Sequence, residues 1–118
     1  MTDRKPSPRV ELLRGTLELL ILRTLLPGPS HGHAVAKHIQ RTSEDVLQIE
    51  TGSLYPALHR LEAQGWIDAS WELSEKGKQA KYYRLTPRGR TQLEAARSKW
   101  ATMARAIGLV LDPAGEKP

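Results

Sequence analysis

The chain has 118 residues, which suits one domain with a small core, and it carries a formal net charge of +5. It contains no cysteine, so a disulfide framework, a thiol nucleophile and a thiolate metal site are excluded. The N-terminus is polar and proline-rich, unlike a signal peptide, and the most apolar run is too short to span a bilayer. We therefore expect a cytoplasmic protein with no membrane partner.

The positive charge is concentrated in one part of the chain. Residues 73–90 hold six basic residues and one acidic residue, whereas the rest holds 12 of each. Such a patch favours a polyanionic partner, although charge runs are often no more than solvated surface.

Two helices are predicted in the first part of the chain, after a flexible arm over residues 1–10. Leucines cover most of the circumference of a helix over 11–26, so we expect it to be buried on more than one side. Pro27, Gly28 and Pro29 end this helix. Ser30 is the predicted N-cap of a second helix over 31–40.

A third helix is predicted to begin at residues 51–53 and to close at Gly65. This start puts Pro56 in the first turn, where a missing N–H has little effect. The spacing of Leu54, Leu58 and Leu61 marks the buried face.

A basic hairpin follows, with strands over 67–72 and 81–86 and a tip over 73–80. Tyr82 and Tyr83 alternate on a strand, so one of them belongs to the core. We predict that Tyr82 is buried and that Tyr83 lies nearer the binding side. Trp66 and Trp71 are expected to pack the sheet against the helices.

The last helix is predicted over 87–111, with Thr86 as N-cap and Pro87 in its first position, and with a frayed tail over 112–118. Its apolar residues have a period of 3.5, which favours pairing with a second helix and hence a homodimer. A surface helix resting on its own domain shows the same stripe. The predicted dimer contacts are Leu13, Leu17, Leu93, Ala96, Trp100, Met103, Ile107 and Val110.

Together these elements predict a mainly α fold with a small two-stranded antiparallel wing, a winged helix-turn-helix over 11–86 followed by a dimerisation helix. Helix N-termini attract phosphate, and wing lysines reach neighbouring phosphates, which favours double-stranded DNA as partner. The predicted DNA contacts are Ser30, His31, Thr51, Ser53, Tyr55, His59, Arg60, Lys76, Lys78, Lys81 and Tyr83.

Simpler interpretations stay open for several of these residues. Tyr55 can pack at the helix start, His59 can be an ordinary surface histidine, and Arg60 can pair with an acid such as Glu62 or Glu94. At the level of function, the alternatives are a winged-helix protein-interaction module and a non-specific architectural DNA-binding protein.

An enzyme or a metal protein is disfavoured. His31, His33 and His38 fall close together, but 33 and 38 are five apart, and no acid or thiol completes a ligand set. No catalytic triad or carboxylate pair stands out. We predict neither a metal nor a cofactor.

Four segments resemble the PadR family of bacterial transcriptional regulators: LRGTLELLIL at 13–22, HGHAVAK at 31–37, GSLYPALHRLE at 52–62 with GWI at 65–67, and KYYRLTPRG at 81–89. The resemblance covers about residues 11–111. It implies a winged helix-turn-helix dimer joined through its first and last helices. Such regulators bind near-palindromic operators and usually repress, often releasing DNA when a small effector binds.

The chain departs from the family pattern at three places. His33 stands where an aromatic residue is common, the wing tip lacks an arginine-rich glycine turn, and a single C-terminal helix resembles the short branch of the family. For a small hydrophobic or aromatic effector, Trp100 is the candidate contact, with simple packing as the alternative.

Overall fold

A computed structural model describes residues 14–114, with only the backbone of Arg14. The elements are α1 (Arg14–Thr24), β1 (Ser30–His31), α2 (Gly32–Thr42), α3 (Thr51–Ala63), β2 (Ile67–Leu73), β3 (Gln79–Leu85) and α4 (Pro87–Leu111). The predicted arm over 1–10, Leu13 and the end of the tail lie outside the described residues. The mainly α fold with a wing and a long last helix is confirmed.

The core lies where α1, α2 and α3 converge, and it is almost entirely aliphatic. Ile67 of β2 and Leu93 of α4 close it from the other side, both fully buried. Leu17 is 5% exposed and belongs to the same cluster. The predictions for Leu17 and Leu93 as dimer contacts are therefore wrong as stated, because each side chain is already covered within its own protomer.

The sheet has three strands in the order β1-β3-β2, all antiparallel. The predicted hairpin is present, and its register runs from the Ile67–Leu85 pair to the Leu73–Gln79 pair. The third strand was not predicted. Ser30 pairs with Tyr83 in that strand and does not cap α2. The cap is His31, whose Nδ1 accepts a hydrogen bond from the Ala34 N–H at 3.2 Å.

The C-terminal end of α3 follows from local chemistry, whereas its proline lies further from the helix start than predicted. Gly65 has φ of +77°, its N–H donates to the Glu62 carbonyl, and the Trp66 N–H donates to the Leu61 carbonyl. These two bonds close the helix in the manner expected of a glycine just beyond the C-terminus, so this prediction is confirmed. Pro56 was misplaced, because α3 begins at Thr51 and the proline falls in its second turn.

The burial of the two tyrosines is the reverse of the prediction. Tyr83 is 2% exposed and shares a strand face with Leu85, opposite Ile67, whereas Tyr82 is only half-buried on the other face. Trp66 packs partly buried against the core, as predicted. Trp71 was expected to do the same but is 66% exposed, because the wing extends past the helices at that point.

The last helix starts as predicted and then leaves the core. Thr86 accepts a hydrogen bond from the Gly89 N–H, and a Cβ added at Gly89 would come within 1.9 Å of the Trp66 carbonyl oxygen. Beyond residue 97 every side chain of α4 is exposed. No helix of the described part is long and apolar enough to cross a membrane.

Candidate nucleic-acid interface

An open groove of about 490 Å³ lies between the start of α2, the outward side of α3 and one face of the wing. We call it the wing groove. It brings together five of the predicted DNA contacts, His31, Tyr55, His59, Lys81 and Tyr83. Gly32, His33 and Trp71, which were not among the predicted contacts, also line it.

The start of α3 is open to an approaching strand. Glu50 is the N-cap but makes no side-chain capping bond, and Thr51 and Ser53 are exposed. Among the described residues, no hydrogen bond is found from the backbone N–H of Thr51 or Gly52. Free N–H groups at a helix start favour an anion, so the start of α3 is able to bind a phosphate group.

Tyr55 joins α3 to α2 and also remains accessible. A Cβ at Gly32 would lie 3.0 Å from the Tyr55 ring and hydroxyl, so the ring packs closely on this glycine. The ring is still 40% exposed on the groove side. Packing and contact with a partner are therefore compatible at this residue, and His59, one turn later, is exposed beside it.

Arg60 is paired to a carboxylate. Its Nε donates to Glu18 Oε2 at 2.6 Å, and both side chains are less than a third exposed. This bond connects α3 to α1, so the alternative in which Arg60 pairs with an acid describes the structure, with a partner that was not foreseen. The pair holds the guanidinium away from an approaching phosphate.

The tip of the wing presents two lysines on an ordered turn. Gly77 has φ of +78°, and Ser74 Oγ accepts from the N–H groups of Lys76 and Lys78 at 3.3 and 3.2 Å. Both lysines are exposed and form no salt bridge within residues 14–114. Lys81, lower on the wing, lies 3.7 Å from a Glu62 carboxylate oxygen and 5.6 Å from the centre of the Tyr83 ring.

Tyr83 lines the wing groove although its side chain is almost fully buried. Burial raises the pKa of its phenol above the usual 10.0, and the nearby charge of Glu62 and the Tyr55 phenol act in the same direction. The side chain therefore stays neutral in physiological conditions. Its burial argues against the direct DNA contact predicted for it.

His31, His33 and His59 line the wing groove, whereas His38 lies away from it. His31 caps α2 and contacts the Tyr82 ring edge-on at 5.6 Å. In the described part of the chain, no cluster of three or more histidine, aspartate or glutamate side chains is arranged to hold a metal ion.

The alternation of side chains along a strand could have identified Trp71, which lines the wing groove and was not among the predicted contacts. Trp71 is an even number of residues from Ile67, so both lie on the same face of the hairpin. That face is covered by helices at Ile67 and lines the groove at Trp71.

The helices α2 and α3 are joined by a short connection, and α3 has a polar outward face. A basic hairpin follows them. This arrangement defines a winged-helix DNA-binding regulator. The family model "Transcriptional regulator PadR-like family" matches residues 21–95. This chain belongs to that family, whose members are transcriptional regulators and not enzymes.

Individual relatives agree with this assignment. A transcriptional regulator of Mycobacterium tuberculosis is 31% identical over 97 residues, which is 82% of this chain and 87% of that protein. The crystal structure of a PadR family regulator from Eggerthella lenta has 33% identity and a TM-score of 0.72, covering 85% of each chain. A transcriptional regulator from Clostridium thermocellum has 30% identity and a TM-score of 0.74, covering 80% of this chain and 92% of its own.

Proposed function

We propose that this protein is a cytoplasmic, sequence-specific DNA-binding repressor that acts as a homodimer on a near-palindromic operator. The observation that carries the proposal is the wing groove, in which the start of α2, the outward face of α3 and a lysine-bearing wing form one surface. In this arrangement α3 enters a major groove and supplies contacts to base edges. The wing lysines bind neighbouring phosphates and set the register.

The set of DNA contacts proposed here is smaller than the set predicted from the sequence. Thr51, Ser53, Tyr55 and His59 are the contacts on α3, and Lys76 and Lys78 are those at the wing tip. Ser30 lies in the sheet, Arg60 is paired with Glu18, and Tyr83 is buried, so their roles are supporting ones. His31 and Lys81 stay candidates because both line the groove.

A second copy of the chain is the proposed partner of α4. Trp100, Met103, Ile107 and Val110 are spaced 3, 4 and 3 along this helix and are 47–78% exposed. Ala96 is half-buried at the start of the same stripe. Exposed apolar residues repeated on one helix face favour pairing with another helix. Such a dimer places its two α3 helices about one turn of DNA, roughly 34 Å, apart.

Release by a small hydrophobic or aromatic effector is part of the same proposal. Trp100, 48% exposed on the dimer stripe, is its candidate contact. A ligand between the subunits would change the spacing of the two α3 helices, and about 1–3 kcal/mol of coupling changes affinity 5- to 150-fold.

The proposal is tested by incubating the purified protein with fragmented genomic DNA and sequencing what it retains at moderate salt. A short palindromic consensus supports a dimeric, sequence-specific regulator. Retention without a consensus supports the architectural alternative, and no retention supports the protein-interaction alternative. A reporter fused to the recovered operator then separates repression from activation.

A further inference from the structure

We propose that Trp71 binds the DNA directly, with its indole packed against the deoxyribose of the strand that runs between α3 and the wing. This inference rests on the function proposed above and adds a contact made by a neutral aromatic side chain. Trp71 was expected to pack the sheet against the helices, but its side chain is 66% exposed, so the protomer leaves most of the indole uncovered.

The position of Trp71 on the wing supports this role. Trp71 is paired with Lys81 across the hairpin, and directly opposed residues of an antiparallel pair lie on the same face. Both line the wing groove, together with His59 of α3. The indole therefore lies on the side of the wing that faces α3.

The position of the groove favours one occupant. When α3 lies in a major groove and the wing tip reaches the adjacent minor groove, the sugar–phosphate strand that separates the two grooves must run between them. The wing groove is a space that both α3 and the wing face line. A DNA strand is therefore the occupant to which we commit.

The chemistry of the groove matches the two components of such a strand. Lys81 and the histidines 31, 33 and 59 line it and can face phosphate oxygens, and Glu62 is the acid that pairs with Lys81. The lysines 76 and 78 lie beyond, at the tip. A deoxyribose offers an apolar surface, and Trp71 is the large apolar side chain positioned to cover it. Burial of this apolar surface on the sugar is favourable because it removes both from water.

This contact has a distinctive energetic signature. A lysine that neutralises a phosphate makes affinity depend on salt, since each contact contributes about −0.9 to the log–log slope. A neutral indole releases no counterion, so its removal lowers affinity by the same factor at every salt concentration. Burial of the two indoles that a dimer presents is expected to account together for about a tenfold change in dissociation constant.

The test compares Trp71→Ala with Trp71→Phe and with Ser70→Ala. Ser70 is the adjacent residue on the opposite face of the same strand, where its hydroxyl donates to Glu72. Binding to a fluorescein-labelled duplex of the selected consensus is measured by fluorescence anisotropy over a series of KCl concentrations. Thermal unfolding of each variant by circular dichroism shows that the fold is retained, as expected for an exposed position.

We expect Trp71→Ala to bind about tenfold more weakly with an unchanged salt slope, and Trp71→Phe and Ser70→Ala to stay within about threefold of the parent protein. Equal affinity of Trp71→Ala and the parent would overturn the inference while leaving the proposed function intact. A loss accompanied by a shallower slope would overturn it as well, because the missing contact would then be ionic. Failure of the parent protein to bind any duplex would instead overturn the proposed function, and this inference with it.

Discussion

Replacing Lys76 and Lys78 together by alanine tests the assignment of the wing most directly. Both side chains are exposed at the tip and have no acidic partner in the described chain, so their charge is free to neutralise phosphate. A dimer carries two wings and therefore loses four contacts, which lowers the log–log salt slope by about 3.6. If the difference in affinity vanishes near 1 M salt, it reaches about three orders of magnitude at 0.15 M.

The assay is anisotropy with the same labelled duplex, titrated at several KCl concentrations, with Lys99→Ala as the matched control. Lys99 is an exposed lysine on α4, outside the wing groove, and its loss should leave the slope unchanged. The double variant should lose affinity for all duplexes alike, since phosphate contacts carry no base information. A slope that does not change would refute the wing assignment, and so would a loss confined to the consensus sequence.

Three further predictions concern assembly and stability. Ile107→Glu places a charge in the exposed apolar stripe of α4 and should convert the dimer to monomer in light scattering; a dimer that persists would remove α4 from the interface. Gly89→Ala should lower stability by about 3 kcal/mol in urea unfolding, because its Cβ would clash with the Trp66 carbonyl, whereas Gly108→Ala, with no neighbour within 4 Å, should not destabilise. The raised pKa of Tyr83 means that the folded state holds this proton more tightly than the unfolded state does. The contribution of this tighter proton binding to the free energy of unfolding is complete below pH 10 and is lost as pH rises through the folded-state pKa. Stability should therefore fall more steeply above pH 10 in the parent than in Tyr83→Phe. Parallel curves would contradict this.

The sequence predicted most of the elements because their ends are encoded within a few residues. At the end of α3 the Gly65 N–H donates to the Glu62 carbonyl and the Trp66 N–H donates to the Leu61 carbonyl, and Thr86 caps α4 through the N–H of Gly89. These signals act over three to five positions, so they can be read without knowledge of the tertiary structure. The boundary of α2 was less well predicted, because Ser30 is a good cap by type but is drawn into the sheet by pairing with Tyr83.

The candidate site was predicted only in part, for a related reason. The sequence predicted His31, Tyr55, His59 and Lys81 as DNA contacts, and in the structure all four line one groove. It did not reveal that Arg60 is paired with Glu18, since that bond joins residues 42 positions apart. Such a pair depends on how α1 crosses α3, which no local pattern specifies.

What the sequence determined by itself is therefore the order of the four helices and of the two hairpin strands, the apolar stripe of α4 and the concentration of positive charge on the wing. Those properties depend on periodicity and composition, which are local. The tertiary structure alone decided which of two alternating faces turns inward. It buried Tyr83 instead of Tyr82, placed Leu17 and Leu93 within the protomer core, and left Trp71 exposed where the hairpin passes beyond the helices. Alternation along a strand defines two faces, but only the helices packed against the sheet determine which of them is covered and how far along the strand that cover extends.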